Sequence, residues 1–379
     1  MPLNTLPEPH MVDNPSAYQE MIDHLKAQAS IAFDTESNSL YAYHEKVCLI
    51  QISSAEEDFL LDPFAFNELD LLGEIFANPR VQKVLHAGDY DLACLKRDYG
   101  FEFHNLFDTM LAATALAEPG VGLAALLEKY LGVVVDKKYQ RADWGQRPIK
   151  PEMLQYGQSD SHYLLALKDA FRKQLEEKGR LEVVMEDSEA LARQTPPMKD
   201  HEENLWRIRG SMQLNPKALS LLQALNHLRE ELAEEADRPP FKVLSDQSLV
   251  EIAQTQPRYI QELGLLPSLS PRQIRRYGPA LLRRVGEWRK NPGAVVKQHN
   301  GRLADAEIKR RELLSVWRKE KGLAEGVHSN VILPRDLLEK IAAKKIVTLG
   351  DLQSIMQESP TRFAAYGVEI FELIKRKSS

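Results

Sequence analysis

"IAFDTESNSL", residues 31 to 40, opens like a buried strand with Ile31, Ala32 and Phe33, then places Asp34 and Glu36 where a core would take apolar side chains. Strand side chains alternate faces, so two carboxylates two positions apart project on one side, about 7 Å from each other. Like charges held so close perturb each other unless something positive lies between them, and Mg²⁺ with its oxygen ligands is the common solution. A strand end at which both carboxylates reach solvent is the plainer alternative. On this segment alone both readings stand.

Around that stretch, "VCLIQIS" (47–53), "DFLLD" (58–62) and "VQKVLHA" (81–87) are short runs rich in β-branched or aromatic residues between polar turns, and they read as further strands. Helical patterns cover 91–99, "DTMLAATALA" (108–117), "GLAALLEKYL" (122–131) and one long helix from Pro151 to Glu177. Gly100, Gly120 and Gly132 stand where such helices should stop. Residues 31 to about 180 therefore read as an α/β domain.

Past "ARQTPPMKD" (192–200) the strand signals vanish, which predicts a linker and a domain boundary near 195–210. The helical half carries a divergent repeat: "VLSDQSLVEIA" (243–253) lies on "ILPRDLLEKIA" (332–342) at an offset of 89 residues. The same shift places Arg229 on Arg318 and Tyr277-Gly278 on Tyr366-Gly367. "RKNPGAVVKQHNGRLAD" (289–305) reads as the linker between the two copies. The expected division is 1–195, with a core at about 15–180, then 210–292 and 303–379.

A chain of 379 residues with 43% hydrophobic and 27% charged residues fits two or three folded domains, and neither a disordered nor a fibrous class. The net charge of -6 gives no global attraction for nucleic acid, so any such binding must use local basic patches. Cys48 and Cys94 lack the spacing of a zinc or disulfide framework and read as buried thiols. The N-terminal stretch has no apolar signal core, and no run of about 18 apolar residues occurs. A cytoplasmic protein acting as a monomer without a membrane partner is the expectation.

Two more segments carry carboxylates to places where chemistry happens. "VLHAGDYDLACL" (84–95) runs from a strand into a helix with Asp89 and Asp91 at the junction, where helix capping alone would explain an acid. "LQYGQSDSHYLLAL" (154–167) sets Tyr156 and Asp160 four apart on one helix face, where a solvated acid beside a half-buried tyrosine is the plainer reading.

Taken together, "FDTE" (33–36), "HAGDYDL" (86–92), "LFDTMLAA" (106–113), "KKYQRADWGQRP" (137–148) and "YGQSDSHYLL" (156–165) resemble, in order and spacing, the ribonuclease D family of the DEDD exonuclease superfamily, tyrosine branch. The helical repeats resemble the tandem HRDC domains of bacterial members. The resemblance implies a ribonuclease H-like mixed sheet flanked by helices, an α/β fold, followed by two all-α HRDC-like domains. It implies Asp34, Glu36, Asp91 and Asp160 as ligands of two divalent cations, Mg²⁺ or Mn²⁺, with Asp34 shared. Tyr156 would orient the attacking water, and no Ser-His-Asp arrangement is required.

The resemblance also brings Lys137 to the nucleotide, with Lys138, Gln140 and Arg141 on the same loop; plain surface charge fits that cluster as well. Asp89 is not the expected ligand, Asp108 is a helix cap, His86 a structural histidine, and Asp143 and Trp144 anchors of the loop before the last helix. Two departures stand out: Ser37 follows Glu36 where many relatives carry an aromatic or histidine, and Ser161 follows Asp160 in place of a common threonine or valine.

"RQIRRYGPALLRRVGEWRK" (272–290) holds seven basic residues against one Glu, with Tyr277 and Trp288 interleaved. It is either a surface for RNA, with the aromatics stacking on bases, or an amphipathic helix with arginines in water. The implied activity is 3′-5′ hydrolysis of RNA to nucleoside 5′-monophosphates, in tRNA maturation or RNA turnover. The alternatives are a DNA exonuclease of the Werner or proofreading kind, and a non-catalytic nucleic-acid adaptor.

Overall fold

The alternation of apolar and polar residues around Phe33 is met by a six-stranded mixed sheet in the computed structural model, which describes residues 6–194, 204–293 and 305–376. In chain order the elements are β1 (His10–Val12), α1 (Pro15–Lys26), β2 (Ser30–Ser37), β3 (Val47–Ser53), β4 (Asp58–Leu61), α2 (Asp70–Ala77), β5 (Gln82–Leu85), α3 (Asp89–Tyr99) and β6 (Leu106–Asp108). Then come α4 (Thr109–Ala115), α5 (Leu123–Leu131), α6 (Pro151–His162), α7 (Leu164–Glu177) and α8 (Leu181–Arg193). The sheet order is β1-β4-β3-β2-β5-β6. β3 runs antiparallel to β2 and β4, while the pairs β1/β4, β2/β5 and β5/β6 are parallel.

Side-chain alternation along β2 divides the core. Ile31 and Phe33 enter one cluster with Phe76 and Phe103, and Ala32 enters the opposite one with Val84, Phe107, Leu164 and Phe171. The sheet is thus covered on both faces, as an inner strand with apolar residues on both sides requires. Cys48 and Cys94 are buried thiols, as expected.

The long helix expected from Pro151 to Glu177 is two helices, interrupted at Tyr163. Gln158 and His162 at the end of α6 both bind the buried Asp58 carboxylate of β4, each at 2.7 Å. Leu164, Leu167 and Phe171 of α7 turn instead into the cluster with α4 and α5. One straight helix cannot serve both demands, and the break occurs without Gly or Pro. Gly100 and Gly132 close α3 and α5 in the left-handed conformation, but α4 ends earlier, with Ala117 rather than Gly120 taking that conformation.

The helical half contains α9 (Pro216–Glu235), α10 (Pro240–Val243), α11 (Asp246–Thr255), α12 (Ile260–Leu263) and α13 (Pro271–Lys290). It continues with α14 (Asp305–Glu325), α15 (Ser329–Ile332), α16 (Arg335–Ala343), α17 (Leu349–Ile355) and α18 (Pro360–Arg376), each beginning 89 residues after its counterpart. The repeat extends to contacts: Arg229 donates to the Leu244 carbonyl at 3.4 Å, and Arg318 to the equivalent Leu333 carbonyl at 2.9 Å. Most of both expected linkers lies outside the described residues.

By contacts the chain forms two units, residues 1–37, 47–196 and 302–379 in one, 38–46 and 197–301 in the other. Within the first, α18 docks on α8: the buried Arg362 guanidinium grips both Asp187 oxygens at 2.6 and 2.7 Å, and the Thr361 N–H donates to Glu186 at 2.7 Å. Removing one partner of a buried pair strands the other. Arg362→Ala should therefore cost about 3 kcal/mol in urea unfolding, and an unchanged midpoint would show the contact to be dispensable. Within the second unit, the 38–46 segment lies on the helices, with the Tyr43 N–H donating to Asp237 at 3.1 Å and the Lys242 ammonium 4.0 Å above the Tyr41 ring.

The basic stretch is α13, an amphipathic helix opened by a Ser270–Gln273 capping box. Tyr277 and Trp288 are buried in its core, Trp288 donating to Ser220 at 3.1 Å, so neither is available to stack on bases. Arg284 binds Glu231 and the Ala224 carbonyl, and Arg289 donates to the Gln256 carbonyl. Arg272, Arg275, Arg276 and Arg283 remain exposed.

Candidate active site

The end of β2 is built to receive groups from other elements. Its neighbour β5 pairs only with residues 30–32, so the edge of β2 from Phe33 onward is open on that side, and the chain turns from β5 into α3 at the opening. On its other edge β2 keeps register with β3 to Glu36 and then bulges between Glu36 and Ser37. Bulges commonly re-aim side chains beside functional sites.

Asp108 shapes the turn into α3. Its carboxylate accepts from the N–H groups of Ala87 (3.2 Å) and Gly88 (3.0 Å), and also caps α4 through Met110 (2.7 Å) and Leu111 (3.1 Å). The expected cap is real, and it sets the course of the helix that carries Asp91. His86 hydrogen-bonds Thr109 at 2.9 Å, a structural partner. Asp89 is exposed, whereas Asp91 is buried and accepts a hydrogen bond from the Thr35 hydroxyl of β2. From the other side, α6 packs across β2 and β3 and delivers Tyr156 and Asp160, whose side chains hydrogen-bond each other.

The four carboxylates of Asp34, Glu36, Asp91 and Asp160 therefore share one electrostatic environment. Burial, then Asp91, Asp160 and Glu36, hold Asp34 well above the usual carboxylate range. Burial and the same two aspartates do so for Glu36. Burial lifts Asp91 to about 6, opposed by the Thr35 hydrogen bond, and Asp160 to about 7, opposed by Tyr156. The Tyr156 phenol is pushed up by burial and by Asp160, Glu36 and Asp34.

Four acidic oxygens-only side chains raised together are a donor set that fits hard divalent cations, which prefer carboxylate oxygen. Among the described residues no three His, Cys, Asp or Glu side chains already stand as an ion-holding group. A cation would lower all four affinities for protons at once.

Lys138 lines a cavity of about 540 Å³ with Tyr139, Gln155, Tyr156, Ser159 and Tyr163. Lys137 and Arg141 are exposed on the same loop and do not line it. Behind the loop, Trp144 is buried with its ring 6.1 Å from that of Tyr156, and Asp143 accepts from the Gly145 N–H at 3.2 Å. Arg147 pins the segment to the sheet by two bonds to Asp62, at 2.6 and 2.7 Å, and one to the Cys48 carbonyl at 2.7 Å. Thr35 and Arg147 were not legible as site supports, since each acquires its role from a partner on another element.

A sheet whose central strand gathers four acids and a tyrosine, followed by paired helical repeats, defines the 3′-5′ exonuclease class with HRDC domains. The 3′-5′ exonuclease profile matches residues 9–176, and the HRDC profile matches 218–285 and again 307–374. An exosome complex component 10 homolog of Caenorhabditis elegans is 35% identical over 253 residues, 65% of this chain and 29% of that protein. Ribonuclease D of Haemophilus influenzae is 27% identical over 339 residues, 88% of this chain and 85% of that one. The crystal structure of a variant of the RRP6 catalytic core from Trypanosoma brucei superposes with a TM-score of 0.65 at 30% identity, covering 73% of this chain and 79% of that one. The chain belongs to the ribonuclease D and RRP6 family of 3′-5′ exonucleases. It spans less than a third of the length of the worm protein. Nucleases of this family are generally dependent on divalent metal. Among the described residues no helix is long and apolar enough to cross a membrane.

Proposed function

We propose that this protein is a metal-dependent 3′-5′ exoribonuclease that shortens RNA from its 3′ end and releases nucleoside 5′-monophosphates. The observation that carries the reading is the gathering of Asp34, Glu36, Asp91 and Asp160 beside Tyr156 within the span matched to the exonuclease family. Two Mg²⁺ or Mn²⁺ ions held by these carboxylates would stabilise the attacking and leaving oxygens of an in-line displacement and supply an activated water.

The protein's own groups do the rest. The Tyr156 hydroxyl, fixed by Asp160, orients the attacking water through a hydrogen bond and is held too high in pKa to serve as a base near neutrality. Lys138, which shares a cavity wall with Tyr156 beside the carboxylates, meets the substrate phosphate, with Lys137 and Arg141 contributing charge from the loop. The exposed arginines of α13 give the first helical repeat a surface for RNA backbone. A tRNA precursor in the cytoplasm and a monomeric enzyme complete the reading.

Tyr156→Phe should lower turnover by about a hundredfold, the size of effect that mispositioning a reactant produces, with Mn²⁺ affinity nearly unchanged. Equal loss of both would make Tyr156 a metal-site residue. The test of the function is incubation of purified protein with a 5′-labelled, 3′-extended tRNA, with and without chelator, beside a matched DNA. A chelator-sensitive ladder on RNA, shortening from the 3′ end, is expected; preference for DNA would favour the DNA-exonuclease reading, and binding without turnover the adaptor.

A further inference from the structure

Gln51 sits in the middle of β3, fully buried, in an otherwise apolar run. Neither its Nε2 nor its Oε1 has a hydrogen-bond partner among the described residues. Leaving both ends of a buried amide unpaired costs about 1–3 kcal/mol per group, so a purely structural position would take Leu or Met.

Its surroundings show what the amide faces. In the antiparallel register Gln51 lies directly opposite Asp34, so the two side chains project on the same face of the sheet. Its row on β3, Leu49, Gln51 and Ser53, lies under α6: Ser53 bonds Ser161 at 2.8 Å, and a Cβ built on Gly157 would stand 3.1 Å from Leu49 and 2.8 Å from the Gln51 amide nitrogen. Gly157 is the residue after Tyr156 and lies three before Asp160. A side chain at Gly157 would press on the amide, which lies beneath the helix that brings Tyr156 and Asp160 and on the strand position paired with Asp34.

We infer that Gln51 is a positioning residue for Asp34: its otherwise unpaired amide donates an N–H to the Asp34 carboxylate when that carboxylate turns to hold a cation, and so fixes the cation-binding orientation. The inference rests on the proposed metal site. A partner behind a ligating carboxylate acts by fixing its orientation, and losing one typically weakens metal affinity by about ten- to a hundredfold.

The test uses the full chain with Gln51→Met and Gln51→Leu, titrated with Mn²⁺ by calorimetry at pH 7.5, alongside thermal melting in chelator and turnover at saturating Mn²⁺. Expected are melting temperatures equal to or above wild type, an apparent Kd for Mn²⁺ weakened by about tenfold, and turnover largely restored once metal saturates. Folded variants that bind Mn²⁺ as tightly as wild type would overturn the inference while leaving the metal site standing. Failure of both variants to fold would assign the amide to the fold and overturn it as well. Absence of Mn²⁺ binding in the wild type would overturn the site and the inference together.

Discussion

Asp34→Asn should lower nuclease turnover by roughly 1,000-fold, the effect of removing a group that stabilises developing charge, and in chelator it should melt no lower than wild type. The second half of this expectation separates a functional acid from a structural one. Asp34 is partly buried and lies under the field of Asp91, Asp160 and Glu36, so its charge is unfavourable without a cation. Neutralising it removes repulsion and leaves the strand pairing with Gln51 intact. A structural acid would show the reverse: lost stability with activity falling only in proportion. Retention of more than about a tenth of wild-type turnover would contradict the role.

The second large effect concerns pH. All four carboxylates have folded-state affinities for protons above those of the unfolded chain, with Asp91 at about 6 and Asp160 at about 7. The native state therefore binds more protons than the unfolded one across this window. The stabilisation is complete below the unfolded values near pH 4 and is lost as pH rises through 6 to 7, so in chelator the melting temperature should fall between pH 5 and 8. Divalent cations bind the ionised forms and reverse the slope. Mn²⁺ at about a hundred times its Kd at pH 8 contributes about 2.7 kcal/mol, a rise of roughly 5 °C, and the same concentration gives a smaller rise at pH 5.5, where protons compete. The check is a matrix of melts over pH and Mn²⁺. A cation shift independent of pH would place the binding on groups other than these carboxylates.

Much of this was legible because residue type and periodicity carried it. Asp34 and Glu36 announce themselves as acids at strand spacing, and Tyr156 with Asp160 as a pair at helix spacing. The helical repeat was readable from three separated matches and holds at the start of all five helices. The illegible parts depend on distant partners. β1 and β6 are three residues each, too short for alternation to register. The break at Tyr163 comes from Asp58 pulling on Gln158 and His162 while the next turn packs elsewhere. Tyr277 and Trp288 looked available beside arginines, yet the apolar stripe of α13 takes them inward. Gln51 left a faint mark, one amide inside "VCLIQIS", whose meaning appears only with its register against Asp34.

Anomalous diffraction from crystals grown with Mn²⁺ and a nucleoside 5′-monophosphate addresses the cation cage most directly. Two peaks about 4 Å apart, both bordered by Asp34 and enclosed by Glu36, Asp91 and Asp160, are predicted. Manganese bound elsewhere, or no peak among these four side chains, would contradict it.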